Sequence, residues 1–80
     1  MMVKLTRLNR NGEEREVIFN TDDVLEITEI DGKEKVIKYD ETTGEPVETK
    51  VQRRFVVKRA NLEAIVLDET NKDLLVDAIA

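Results

Sequence analysis

Val47-Glu48-Thr49-Lys50-Val51-Gln52-Arg53-Arg54-Phe55-Val56-Val57 is the most regular stretch of this 80-residue chain, and its reading decides the fold class. Its period is two. Val47, Val51, Phe55 and Val57 fall on one face of an extended strand, and Glu48, Lys50, Gln52 and Arg54 fall on the other. Such a strand belongs in a sheet that is buried on one side and wet on the other, as antiparallel sheets commonly are.

Working back from this strand, residues 40–46 form the longest loop, with Gly44 and the only proline, Pro46. Residues 35–39 read as a strand, and Asp31-Gly32 ahead of them carries hairpin chemistry because both residues suit tight turns. Residues 24–30 are rich in β-branched side chains and read as another strand. Asn20-Thr21-Asp22-Asp23 is a polar turn, residues 16–19 are a strand, Asn11-Gly12 is a second hairpin signal, and residues 3–8 open the chain as a strand.

Downstream the period changes. Asn61 could cap a helix that places Leu62, Ile65 and Val66 on one face, but Ile65-Val66-Leu67 is equally a buried-strand sequence. Thr70, with Asp73 three positions on, resembles a capping box, and Leu74, Leu75, Ala78 and Ile79 follow as an amphipathic stripe. That stripe either covers the apolar face of the sheet or docks onto a second copy. The expected fold is a single domain, mainly β (α+β): a twisted antiparallel meander of about five strands with one or two short C-terminal helices.

A chain of this size buries only roughly 60–65% of the surface it exposes when unfolded, so its core is thin. It has no Cys to form disulfides or thiolate zinc sites, and self-association is a remaining route to more buried apolar surface. Residues 1–7 alternate polar and apolar with no continuous apolar region, so no signal peptide is expected. No run approaches the ~20 apolar residues that span a bilayer, so membrane insertion is not expected and a cytoplasmic location is.

Chemistry is scarce in this composition. With no Ser, Cys or His, nucleophilic catalysis would fall to Thr or Lys, and neither has an activating partner in the sequence. No catalytic residue and no cofactor are expected. Asp22, Asp23, Glu26 and Glu29 cluster, but no glycine lies among them to make the sharp turn of a calcium loop, so no metal site is expected either. The glycines are isolated turn residues, not a phosphate-binding loop.

Charge is what remains. The formal net charge is −5, and residues 11–31 hold eight carboxylates against the single cation Arg15. Phosphates are repelled by such a field and basic proteins are attracted, so direct nucleic-acid binding is not expected. Residues 50–59 carry five cations, Lys50, Arg53, Arg54, Lys58 and Arg59, with no acid among them. Phe55, their only aromatic neighbour, alternates onto the buried face and cannot stack on bases. This basic strand is expected to pair with the acidic strand carrying Glu26 and Glu29; the alternative is an acidic patch on a second subunit.

The opening Val3-Lys4-Leu5-Thr6-Arg7-Leu8-Asn9 resembles the start of the small flagellar-associated FlbD family, called SwrD in swarming bacilli. The likeness extends to Phe19-Asn20, to Glu26 and Glu29, and to Phe55-Val56-Val57-Lys58 ahead of Asn61-Leu62-Glu63-Ala64-Ile65. Arg10, the acids of the first hairpin and the excursion over residues 41–52 are additions to that pattern. The resemblance implies a short β-rich protein without catalytic residues, linked to flagellar motor function. A likeness of class, carried by charge segregation alone, is to small acidic phage-encoded inhibitors that occupy the DNA-binding surface of basic host proteins such as nucleoid proteins of the HU type. The functional expectation is a non-catalytic, acidic DNA mimic. Its partner-binding face comprises Glu13, Glu14, Glu16, Asp22, Asp23, Glu26 and Glu29, and its partner is a basic, DNA-binding protein. The flagellar motor accessory is the alternative.

Overall fold

A computed structural model describes residues 1–9 and 13–80; the hairpin signal at Asn11-Gly12 lies outside the described residues. Five antiparallel strands form one sheet: β1 (Met2–Leu8), β2 (Glu14–Asn20), β3 (Val24–Tyr39), β4 (Pro46–Arg59) and β5 (Leu62–Asp68). One helix, α1 (Glu69–Ile79), follows. The mainly β fold with a C-terminal helix is therefore as expected.

The order across the sheet is β2-β1-β5-β4-β3. Each strand lies beside its sequence neighbour except β2 and β3, which occupy opposite edges, and β1 instead meets β5 through the single pair Leu8–Val66. A flat sheet of this width would hold its outer strands roughly 19 Å apart. Yet only the three-residue 3-10 turn Thr21–Asp23 connects β2 to β3, and such a turn advances about 2 Å per residue. The sheet must therefore curl until its edges approach at this end. One contact agrees: the Arg59 guanidinium of β4 lies 5.5 Å from the ring centroid of Phe19 on β2.

The curl encloses the core. Leu5, Phe19, Val57, Ile65, Leu67 and Leu75 pack together, with Val3, Val17, Val24 and Ile27 partly buried against them. Helix α1 contributes Leu75, which has no exposed surface, whereas Leu74 and Ile79 are about half exposed (51% and 48%). The expected stripe is thus corrected. The helix packs through the row Asn71, Leu75 and Ala78, and Leu74 and Ile79 are left on its flank. Its N-cap is Asp68, whose side chain accepts from the Asn71 N–H at 2.8 Å, so Thr70 lies inside the helix and caps nothing. The Asn71 side chain bridges on to β1, its Oδ1 accepting from the Thr6 N–H at 2.9 Å. Asn61 is no helix cap either. It sits in the β4–β5 turn with φ 58°, a left-handed conformation that Asn tolerates, and the ambiguous residues after it form strand β5.

One expected hairpin is absent. Asp31-Gly32 does not turn the chain; the two strands foreseen on either side of it are one 16-residue strand, β3. Ile30 pairs with Arg54 and Lys33 with Gln52, so two residues of β3 oppose one of β4 in a bulge. Glycine suits this position by close approach: a Cβ on Gly32 would lie 2.6 Å from Val51 Cγ1 and 3.0 Å from the Gln52 carbonyl oxygen. The Asp31 carbonyl accepts from Arg54 Nε at 2.8 Å and fixes the bulge. Because β3 continues, it and β4 run past the body as a two-stranded ribbon, turning at residues 40–45, and the molecule measures 49 × 22 × 21 Å.

Candidate protein-binding surface

The strand register disperses the seven acidic residues singled out by the sequence. Glu14 and Glu16 lie on β2, opposite Leu8 and Thr6, with Glu13 just before them. Asp22 and Asp23 form the 3-10 turn at the other end of β2, where the Asn20 side chain caps them by accepting from the Asp22 N–H at 3.0 Å. These five make an acidic ridge along one edge of the sheet. At 3.3 Å per residue, β2 alone extends it over roughly 23 Å. Glu26 and Glu29 belong to β3, at the opposite edge.

Glu29 is also electrically occupied. Glu29 takes two parallel hydrogen bonds from Arg53, Nε to Oε2 at 2.9 Å and Nη2 to Oε1 at 2.8 Å. That hydrogen bond is the main reason the Glu29 carboxyl is held below the ordinary carboxylate range, and the Arg53 guanidinium is correspondingly harder to deprotonate. Arg53 also reaches Glu69 in the first turn of α1 and lies 5.3 Å from the Phe55 ring centroid, so one side chain ties β3, β4 and the helix together. Glu26 pairs with Lys58 at 3.6 Å. The expectation that the basic strand pairs with its acidic neighbour across the sheet is met in these two contacts. Phe55 is buried, as its alternation foretold.

The ridge on β2 is held as the Glu26–Lys58 pair is, both of whose partners are more than half exposed, and not as Glu29 is. Its ion pairs are long or solvated: Lys4 to Glu16 at 3.2 Å, Arg15 to Glu13 at 3.9 Å, and the Met1 amino group to Asp22 at 3.9 Å. Every partner in them is more than half exposed, and exposed pairs of this kind contribute about 0–1 kcal/mol. Glu14 and Asp23 have no ion-pair partner among the described residues. Ile18 stands exposed within the row, at 63%. An anionic strand edge with an apolar residue in it can steer a cationic surface and then bury a side chain against it.

No three carboxylates among the described residues are grouped to hold a metal ion. Among the described residues no helix is long and apolar enough to cross a membrane. Sequence reasoning missed the ribbon, whose Ile37, Tyr39, Val47 and Val51 are all more than half exposed. Their alternation is the same signal that marks a core-facing strand, and only the length of the neighbouring strands shows that nothing covers them. No known protein family, curated protein or solved structure matches this chain.

Proposed function

We propose that this protein is a non-catalytic binding module whose acidic ridge, Glu13, Glu14, Glu16, Asp22 and Asp23, engages a basic surface of a nucleic-acid-binding protein and competes with DNA for it. It would act in the cytoplasm, as an inhibitor of the phage-encoded kind. The observation that carries this reading is the separation of charge across the sheet. Arg53 of β4 holds Glu29 by two hydrogen bonds at one edge, while the carboxylates of β2 and the 3-10 turn remain solvated at the other. Glu29, already held by Arg53, is left out of the contact.

The test is a competition assay. A nucleoid protein of the HU type, bound to labelled duplex DNA, is titrated with the protein at several salt concentrations. Displacement that weakens as salt rises is expected, because the contact is made by exposed charges. Reversing Glu14, Asp22 and Asp23 to Lys should slow association and flatten the salt dependence, while Glu29→Gln should change little. Equal displacement by the reversed variant would exclude the ridge as the site. Retention of motor components in place of nucleoid proteins, on a column bearing the protein, would favour the flagellar accessory.

A further inference from the structure

The ribbon leaves Ile37, Tyr39, Val47 and Val51 uncovered. β4 pairs with β5 only from Arg54 onward, so along Pro46–Arg53 it is bonded to β3 on one side and to no strand on the other. A two-stranded ribbon with no third layer is at best marginally stable in water. It also presents a row of backbone N–H and C=O groups ready to pair. Val47 and Val51 on this strand are 56% and 64% exposed.

The free edge reads as a self-complementary sequence: Val47-Glu48-Thr49-Lys50-Val51. We propose that it pairs with the same edge of a second copy, antiparallel about a two-fold axis at Thr49, joining two hairpins into one four-stranded sheet. In that register Thr49 faces the partner's Thr49, and Glu48 faces the partner's Lys50. Val47 faces the partner's Val51, and the two-fold repeats each unlike pair. Thr–Thr, opposite-charge and β-branched pairs are those that stabilise neighbouring strands. A shift that centres the axis on Lys50 would set two lysines directly opposite and is disfavoured, so charge selects the register. A two-fold contact of this kind uses one surface twice and closes at two copies.

The surroundings fit this occupant. Pro46, with no N–H to donate, ends the pairing edge on one side, and the start of α1 beside Asp68 ends it on the other. The outer edge of β3 is a poorer joint, because Lys33, Lys35 and Lys38 line it and irregularities at Asp31-Gly32 and at Ile37 interrupt it, whereas the one on the free edge of β4 falls at Val47, at its end. Nucleic acid is a poorer occupant too, since Asp40, Glu41 and Glu45 at the tip would repel phosphates. The inference does not depend on the reading of the acidic ridge.

Molecular mass by light scattering over a dilution series tests it, with circular dichroism to confirm that each variant is folded. The mass of two chains is expected, falling to one on dilution. Glu48→Lys and Lys50→Glu each set like charges opposite one another twice and should weaken the dimer about tenfold or more. The double swap, Glu48→Lys with Lys50→Glu, should restore it. Because the chain has no cysteine, Thr49→Cys gives a clean cross-link: paired Cα atoms ~4.5–5.5 Å apart lie within disulfide range. Oxidation should then yield a covalent dimer, while Ile18→Cys on β2 should not. A monomer at every concentration overturns the proposal. So does a dimer indifferent to the single reversals, one not restored by the swap, or one that Thr49→Cys does not cross-link.

Discussion

Replacing Leu75 by Ala, beside the same change at Leu74, measures how α1 closes the fold. Leu75 is fully buried among Leu5, Ile65, Leu67 and their neighbours, whereas Leu74 keeps half its surface in water. Truncation removes three carbons, worth about 0.8 kcal/mol each when fully buried, or about 2.4 kcal/mol. The space left at position 75 is walled by β-strand side chains that cannot all move in, which raises the loss to about 3–4 kcal/mol. At position 74 half the transfer term and no cavity leave about 1 kcal/mol. A chain of this length has about 4–12 kcal/mol of stability in total, so Leu75→Ala removes about a quarter of it or more. Urea unfolding followed by circular dichroism reads the difference. With a slope near 1 kcal/mol per molar, the midpoint should fall by about 3 M for Leu75→Ala and about 1 M for Leu74→Ala. Equal shifts would mean that the helix is not docked through the row Asn71, Leu75 and Ala78, and the account of the core would be wrong.

Asn71→Ala removes both the acceptor of the part-buried Thr6 N–H and a partner of the Asp68 cap, so a loss of about 1–3 kcal/mol is expected in the same urea experiment. Glu29 sets a pH dependence: its carboxyl is depressed in the folded protein by the hydrogen bond from Arg53, so in acid the unfolded chain binds the proton first. Its contribution is therefore complete above the ordinary carboxylate value of about 4.3 and is lost as pH falls through the lower folded value. Urea midpoints measured between neutral pH and acid should show this fall, and it should be shallower in Glu29→Gln.

The strand content was legible because period-two alternation is a local property. Residues 47–57 needed no context to be read as a strand, nor did Phe55 to be placed inside. The cross-sheet attraction of Arg53 and Lys58 for Glu29 and Glu26 could also be read, since a long basic strand and an acidic one must neutralise each other somewhere. Asp31-Gly32 could not be read correctly. The absence of a Cβ serves a turn and a bulge equally well, and only the approach of Val51 and Gln52 distinguishes them. The layout of the acidic residues was not legible for a related reason. Residues 13–29 are contiguous in sequence, but the strand order sets β2 and β3 on opposite edges, which meet only at the Thr21–Asp23 turn. Helix packing was half legible: 3.6-residue periodicity identified the helix, but Leu74 and Leu75 are adjacent, and which of them turns inward is decided by where Asp68 starts the first turn.

The lone Leu8–Val66 bridge between β1 and β5 orders events in time. The other pairings of the sheet join strands adjacent in the chain and can zip up from their turns, but this one must bring together positions 58 apart. Closing a loop of that length costs roughly 3.6 kcal/mol of chain entropy, with a single residue pair and the core side chains to offset it. The nucleus therefore forms in the three-stranded unit β3-β4-β5, and the β1–β2 hairpin docks afterwards. In stopped-flow measurements, weakening Leu8 or Val66 should speed unfolding and leave the folding rate nearly unchanged, whereas weakening Val57 or Ile65 should slow folding itself.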